Sequence, residues 1–326
     1  MEQKSISTLN NKKKFNWTSL TIIILTLAVF GFLWATSDTF FTFANIHSLV
    51  YDTSFIFFGV IGFTYLMIMG EIDLSVGSMF AFSGMWLGML CDWGLPFAPA
   101  LIIAIASVIG IGAINGILVV RFRVPSMMIT LGMMTALAGL SNLLSTNLYG
   151  YYYPDAYRAI VRPTISIGGE EVFVLIIIMI VIIAVLEFML HKTTIFRKMY
   201  YVGENLDTAK IYGIKAAKIK FITFIISALT AGIGGILVGS RVAYAAPTIG
   251  IGYEFQMLTA AVLGGASLFG GKGSILRASI AIFFLQLIRN GMVIHNIDPL
   301  LSQIIVGIIL IIAVYLDTRV NKATTV

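Results

Sequence analysis

Two carboxylates, Glu71 and Asp73, interrupt a long apolar run in the stretch GEIDLSVGS, Gly70 to Ser78. An acid at membrane depth is expensive unless it faces water or protein. Asp73 or Ser75 can accept from the free N–H groups in the first turn of a following helix, where a negative charge also suits the helix dipole. The stretch then reads as a capped turn at the cytoplasmic surface. It reads equally as a broken helix lining a pathway, where Glu71 and Asp73 could couple transport to an ion. A second chemistry is suggested by GGKGS, Gly270 to Ser274. A phosphate loop needs Gly, four residues, Gly-Lys and then Ser or Thr. Here Ala266 stands in place of the first Gly and Gly273 in place of the Ser or Thr, so nucleotide binding by this stretch is excluded. His47, His191 and His295 lie far apart with no metal-ligand spacing. Cys91 is the only cysteine, so no intrachain disulfide exists, and it reads as a small apolar residue.

The elements that must position these residues follow from composition. The chain has 326 residues, 59% hydrophobic and 11% charged, with mean hydropathy +0.97. A soluble domain carries about 25% charged residues, so this is a polytopic membrane protein. A net charge of +6 reflects basic loops and not nucleic-acid binding. Ten apolar segments are expected as spanning helices: 17–36, 47–69, 75–92, 98–120, 125–146, 172–190, 219–240, 254–269, 274–295 and 300–316. No alternating barrel pattern competes with this all-α reading. The first segment follows a Lys12-Lys13-Lys14 cluster and reads as a retained helix more than as a signal peptide.

The positive-inside rule gives the orientation. With the N-terminal tail, residues 1–16, in the cytoplasm, Arg121 and Arg123 fall inside. So do Lys192, Arg197, Lys198, Lys210, Lys215, Lys218 and Lys220, then Lys272, Arg277, Arg319 and Lys322. Both termini are therefore expected in the cytoplasm. The turn at Asp92 and the tyrosine-rich segment from Asn147 fall outside, with Arg158, Arg162 and Arg241 as exceptions. The whole chain, 1–326, reads as one transmembrane domain. Glu254 opens an apolar helix after the glycines of PTIGIGYE, much as the acids of GEIDLSVGS do earlier, which hints at an inverted repeat of two five-helix halves.

The cytoplasmic loop 191–218 contains ENLDTAKIYGI, a short helix capped by Asn205 or Asp207 and stopped by Gly213. It reads as a solvated surface helix or as a helix that inserts into a partner's groove. The apolar Ala209, Ile211, Tyr212 and Ile214 favour docking.

Four stretches together resemble the membrane permease subunits of bacterial ATP-binding-cassette sugar importers of the ribose, xylose, galactose and autoinducer-2 type. GEIDLSVGSMFAFSGM at 70–85 resembles the Gly-x-Ile-Asp-Leu-Ser-Val-Gly signature, and VPSMMITLGMMTALAGL at 124–140 a Val-Pro-x-x-x-x-Thr-Leu-Gly stretch. GENLDTAKIYGIKAAKIK at 203–220 is similar to the coupling segment, and APTIGIGYEFQMLTAAVLGGASLFGGKGSI at 246–275 to the late Gly-rich signature. Glu71 departs from the pattern, which commonly has Gly there.

The resemblance implies a non-catalytic subunit in the bacterial cytoplasmic (inner) membrane. It pairs with a second copy or a similar permease. Cytoplasmic ATP-binding subunits hold ATP and Mg, this chain binds no cofactor, and an extracytoplasmic solute-binding protein delivers the sugar. By carry-over, Glu204, Asn205, Thr208, Ala209, Gly213 and Ile214 contact the ATPase. Asp73, Ser75, Asn115 and Thr130 are candidates for the translocation path, and alternating access is the expected mechanism. An ion-coupled secondary transporter is the alternative from another class.

Overall fold

A computed structural model describes residues 17–145, 151–152 and 155–324. The Lys12–Lys14 cluster and part of the tyrosine-rich segment lie outside the described residues. The first half comprises α1 (Trp17–Thr36), α2 (Phe43–Ile68), α3 (Val76–Asp92), α4 (Phe97–Phe122) and α5 (Ser126–Leu144). Two short strands and a helical turn follow: β1 (Tyr151–Tyr152), α6 (Asp155–Arg158) and β2 (Thr164–Ile167). Next come β3 (Glu170–Phe173), α7 (Val174–Lys192), α8 (Thr194–Glu204) and α9 (Leu206–Ile211). The chain ends with α10 (Ala216–Val242), β4 (Tyr244–Ala245), α11 (Tyr253–Leu263), α12 (Ile275–Ile294) and α13 (Leu301–Thr324).

Each of the ten apolar segments contains a helix, but they are not equivalent. Among the described residues, seven helices are long and apolar enough to cross a membrane: α2, α4, α5, α7, α10, α12 and α13. The eighth expected span, 254–269, is only an 11-residue helix, α11. At about 1.5 Å per residue it rises roughly 16 Å, too little to cross about 30 Å of hydrocarbon. Gly264 ends it because the chain there packs against the backbone of Ala278 and leaves no room for a side chain. The remainder of that segment, 264–269, and the chain on to Ser274 form a packed non-helical loop.

Helix α10 is the hub. In lipid, helices associate through close packing of small residues, because apolar side chains gain little by leaving acyl chains. The side chains that would separate α10 from its neighbours are accordingly missing. Gly62 of α2 lies on the backbone of Ser227, and Gly235 of α10 lies on the carbonyl of Phe80 in α3. A methyl at Gly112 of α4 would come within 2.5 Å of Ala228 Cβ. Helices α2 and α3 are buried on nearly every side, whereas α4, α5 and α7 keep broad exposed apolar faces suited to lipid.

Two small sheets lie outside the helical bundle's interior. β1 pairs antiparallel with β4, Tyr151 opposite Ala245. β2 and β3 form a hairpin whose Gly168-Gly169 turn has positive φ at both positions. The exceptions to the charge rule are partly accounted for here. Arg241 sits 3.4 Å from Asp52 and over the ring of Tyr51, and Arg158 lies 4.0 Å from Asp155.

Gly235→Val places two methyl groups against the Phe80 backbone. It is expected to destabilise the protein by about 1–3 kcal/mol through overpacking. Thermal unfolding of the detergent-solubilised variant checks this, with Gly132→Val, which has open space around it, as the neutral comparison.

Candidate translocation and coupling sites

The chain breaks between α2 and α3, and the break turns back into the bundle. Met69 Sδ lies beside Thr223, and Asp73 lies beside Ser227, one turn further along α10. Ser227 is about 16 Å along α10 from its first residue, within a helix of 27 residues. Asp73 therefore stands well inside the bundle and not at a surface turn.

Side chains from three helices satisfy this non-helical segment. The Ile72 amide donates to Ser126 Oγ at 3.2 Å and the Leu74 amide to Thr130 Oγ1 at 3.1 Å. The Ser75 amide donates to Asp73 Oδ1 at 3.0 Å, and Ser75 Oγ donates to the same oxygen. Ser227 Oγ donates to Asp73 Oδ2 at 3.4 Å, and Asn115 Nδ2 donates to Ser75 Oγ at 3.1 Å. Asp73, Ser75, Asn115 and Thr130, separated by up to 57 residues in sequence, thus form one network, and each is 0% exposed. Ser126 and Ser227 complete it and carried no signal in the sequence beyond being polar in apolar runs.

Glu71 has a different partner. It forms an ion pair with Lys220 of α10, with side chains 12% and 18% exposed respectively. Glu254 is buried at the start of α11 and packs against Gly77 at the start of α3, where no side chain would fit. The two acid-and-glycine breaks noted in the sequence therefore meet inside the protein.

The loop 191–218 holds the expected short helix, α9, and a second one before it, α8. Helix α8 was not distinguished in the sequence, although Ile195, Phe196, Met199 and Val202 recur at helical spacing. Asn205 ends α8 and caps α9, accepting from the Thr208 amide at 2.8 Å. The far end closes with the Gly213 amide on the Lys210 carbonyl at 2.9 Å and the Ile214 amide on the Ala209 carbonyl at 3.0 Å. Gly213 has φ +72°, a left-handed shape costly for a residue with a side chain.

The segment's apolar residues divide. Ala209 and Ile214 face inward onto the core, while Ile211 and Tyr212 are 84% and 80% exposed. Between α8 and α9 an open groove of about 930 Å³ is lined by Glu204, Asn205, Thr208, Ala209 and Ile214, with Arg197 on its rim. Five of the six expected coupling residues share this groove, and Gly213 ends the helix that walls it.

The GGKGS stretch is structural. Its Gly271 amide donates to the Ile68 carbonyl at 2.8 Å, and its Gly273 carbonyl accepts from Tyr200 Oη at 2.9 Å. Asp317 of α13 accepts from the Leu268 amide at 3.2 Å, and Glu187 of α7 accepts from Ser274 Oγ at 2.8 Å and from the Leu276 amide at 3.0 Å. These acids fix the two ends of the loop.

Asp73→Ala leaves three donors without their acceptor and is expected to cost about 1–3 kcal/mol. Asp73→Asn keeps a carbonyl oxygen and is expected to cost less. The check is thermal unfolding in detergent, where equal losses would contradict the network.

Comparison with known proteins agrees with this anatomy. Residues 45–314 match the family model described as "Branched-chain amino acid transport system / permease component". The autoinducer 2 import system permease protein LsrC of Photorhabdus luminescens is 29% identical over 94% of this chain and 92% of its own length. The ribose import permease protein RbsC of Escherichia coli K12 is 30% identical, covering 92% of this chain and 93% of its own. The D-allose transport system permease protein AlsC of the same strain is 30% identical, covering 96% and 97%. No solved structure is a significant match. The family model covers most of the chain, and these relatives align with it nearly end to end. The chain belongs to this family of multi-pass transport permeases, alongside import permeases for ribose, D-allose and autoinducer 2.

Proposed function

We propose that this chain is the translocating subunit of an ATP-driven importer for a small sugar or sugar-like solute in the bacterial cytoplasmic membrane. The observation that carries the proposal is the α8–α9 segment. Its two ends are closed by hydrogen bonds, it offers a groove, and it projects Ile211 and Tyr212 into the surroundings. A rigid short helix presenting apolar anchors fits insertion into a partner's cleft. The partner is a cytoplasmic ATPase that carries ATP and Mg. Glu204, Asn205, Thr208, Ala209, Gly213 and Ile214 shape the docking surface. A second permease, identical or similar, completes the path, and an extracytoplasmic binding protein supplies the solute.

In this reading the ten segments are membrane-embedded and both termini are cytoplasmic. The arrangement also supports inverted halves. Helix α2 runs toward the coupling segment and α10 runs away from it, and each is followed by a break and a shorter helix. Asp73, Ser75, Asn115 and Thr130 hold the first break, which forms part of the wall of the path. A neutral sugar asks for hydrogen-bonding groups and not for a free charge. Ion coupling through Glu71 or Asp73 is the less supported reading, because one acid is paired with Lys220 and the other is enclosed by hydroxyl groups and an amide.

Purification of the tagged chain in mild detergent from its native host tests the assignment. A stoichiometric ATPase chain with ATP turnover is expected to accompany it. Ile211→Asp is expected to reduce the amount of ATPase retained by about tenfold or more, as loss of a central apolar anchor does, without changing membrane accumulation. A lone, ATP-inert chain that still moves solute in liposomes would overturn the proposal.

A further inference from the structure

Three pieces of chain meet beneath the break. Gly203, in the last turn of α8, lies directly on the Ile68 carbonyl that ends α2, where a Cβ would overlap the oxygen. The Gly271 amide donates to that same carbonyl at 2.8 Å. A Cβ on Gly271 would stand 3.1 Å from Glu204 Cα, so the loop backbone also presses on the start of the docking surface. The end of α8 is therefore joined to the end of α2 through backbone alone, with no flexible side chain between them.

Met69, Gly70 and Glu71, the residues that follow Ile68, open the break. Glu71 is held by Lys220, in the second turn of α10, and α10 begins immediately after the coupling segment. Two of the grips on the break, this junction and the ion pair, thus come from residues 203–220, one before α9 and one after it. A half-buried ion pair resists separation, since moving one partner away leaves the other charge poorly solvated. Packed, bonded contacts of this kind transmit small displacements because they have few intermediate arrangements. Glu71 is also the residue that the resemblance leaves unexplained.

We propose that the Glu71–Lys220 ion pair and the Gly203–Ile68–Gly271 junction form the transmission element that turns a displacement of the docking segment into a displacement of the Gly70–Ser75 break. The proposal rests on the importer reading above. Glu71 and Lys220 act as positioning residues. Loss of either charge removes the ion-paired hold of α10 on the break, while the Thr223–Met69 and Ser227–Asp73 contacts and the docking surface stay in place.

The test uses the complete complex with its ATPase, in a Cys91→Ser background carrying Ile72→Cys, a partly exposed position in the break. The readout is the rate of N-ethylmaleimide labelling in nucleotide-free and ATP–vanadate-trapped states. With the pair intact the two rates are expected to differ about fivefold or more. In Glu71→Gln and Lys220→Gln the difference is expected to fall to about twofold or less, a change within the range of pairwise couplings between contacting residues, while ATP hydrolysis continues. The charge exchange Glu71→Lys with Lys220→Glu is expected to restore it. An undiminished difference in the single variants, or failure of the exchange to restore it, would overturn the proposal. So would single variants that fail to accumulate, because the pair would then be a folding element only. If the intact chain retains no ATPase at all, the importer reading fails first and the proposal with it.

Discussion

Non-helical backbone inside a membrane must find every hydrogen bond within the protein. That constraint organises the structure around Gly70–Ser75. A continuous helix would have satisfied its own amides, but this chain stops α2 at Ile68 and resumes at Val76. The groups exposed by the break are met by Ser126 and Thr130 of α5, while Asn115 of α4 and Ser227 of α10 hold the side chains of Ser75 and Asp73. Three helices are thereby fixed around one short segment. The glycines of α10 follow from the same demand, because the donors can reach only if the helices approach closely.

The arrangement links the polar interior to the α8–α9 segment. Glu187, Asp317 and the glycines of the 264–274 loop tie α7, α13 and α8 to the ends of α2 and α12. The protein thus has one closely packed layer next to α8 and α9 and, at the other end of α10, small sheets and loops.

Much of this was legible in the sequence. Hydrocarbon runs mark helices plainly, and each of the ten segments contains one. Asp73, Ser75, Asn115 and Thr130 were recognisable as polar residues in apolar surroundings, and they do gather. Gly213 announced the end of α9 and Asn205 was one of two candidate caps, with Asp207, because capping is local chemistry. What was not legible was pairing across distance. Nothing near Glu71 points to Lys220, 149 residues away, and nothing near Glu187 points to Ser274. The eighth segment misled because Gly264 and Gly265 end α11 through tertiary packing on α12, while Ala266, Leu268 and Phe269 keep the apolar run going. Helix α8 was hidden in a basic loop, where its four apolar residues were outnumbered by polar neighbours.

The most direct test of this account is site-resolved hydrogen exchange across residues 70–76 of the protein in lipid nanodiscs. If protein side chains hold the break, the amides of Ile72, Leu74 and Ser75 exchange as slowly as those in the middle of α2 and α10. Exchange of these three amides at the rate of an exposed loop would mean that water fills the break, and the network of Asp73, Ser75, Asn115 and Thr130 would not be what holds it.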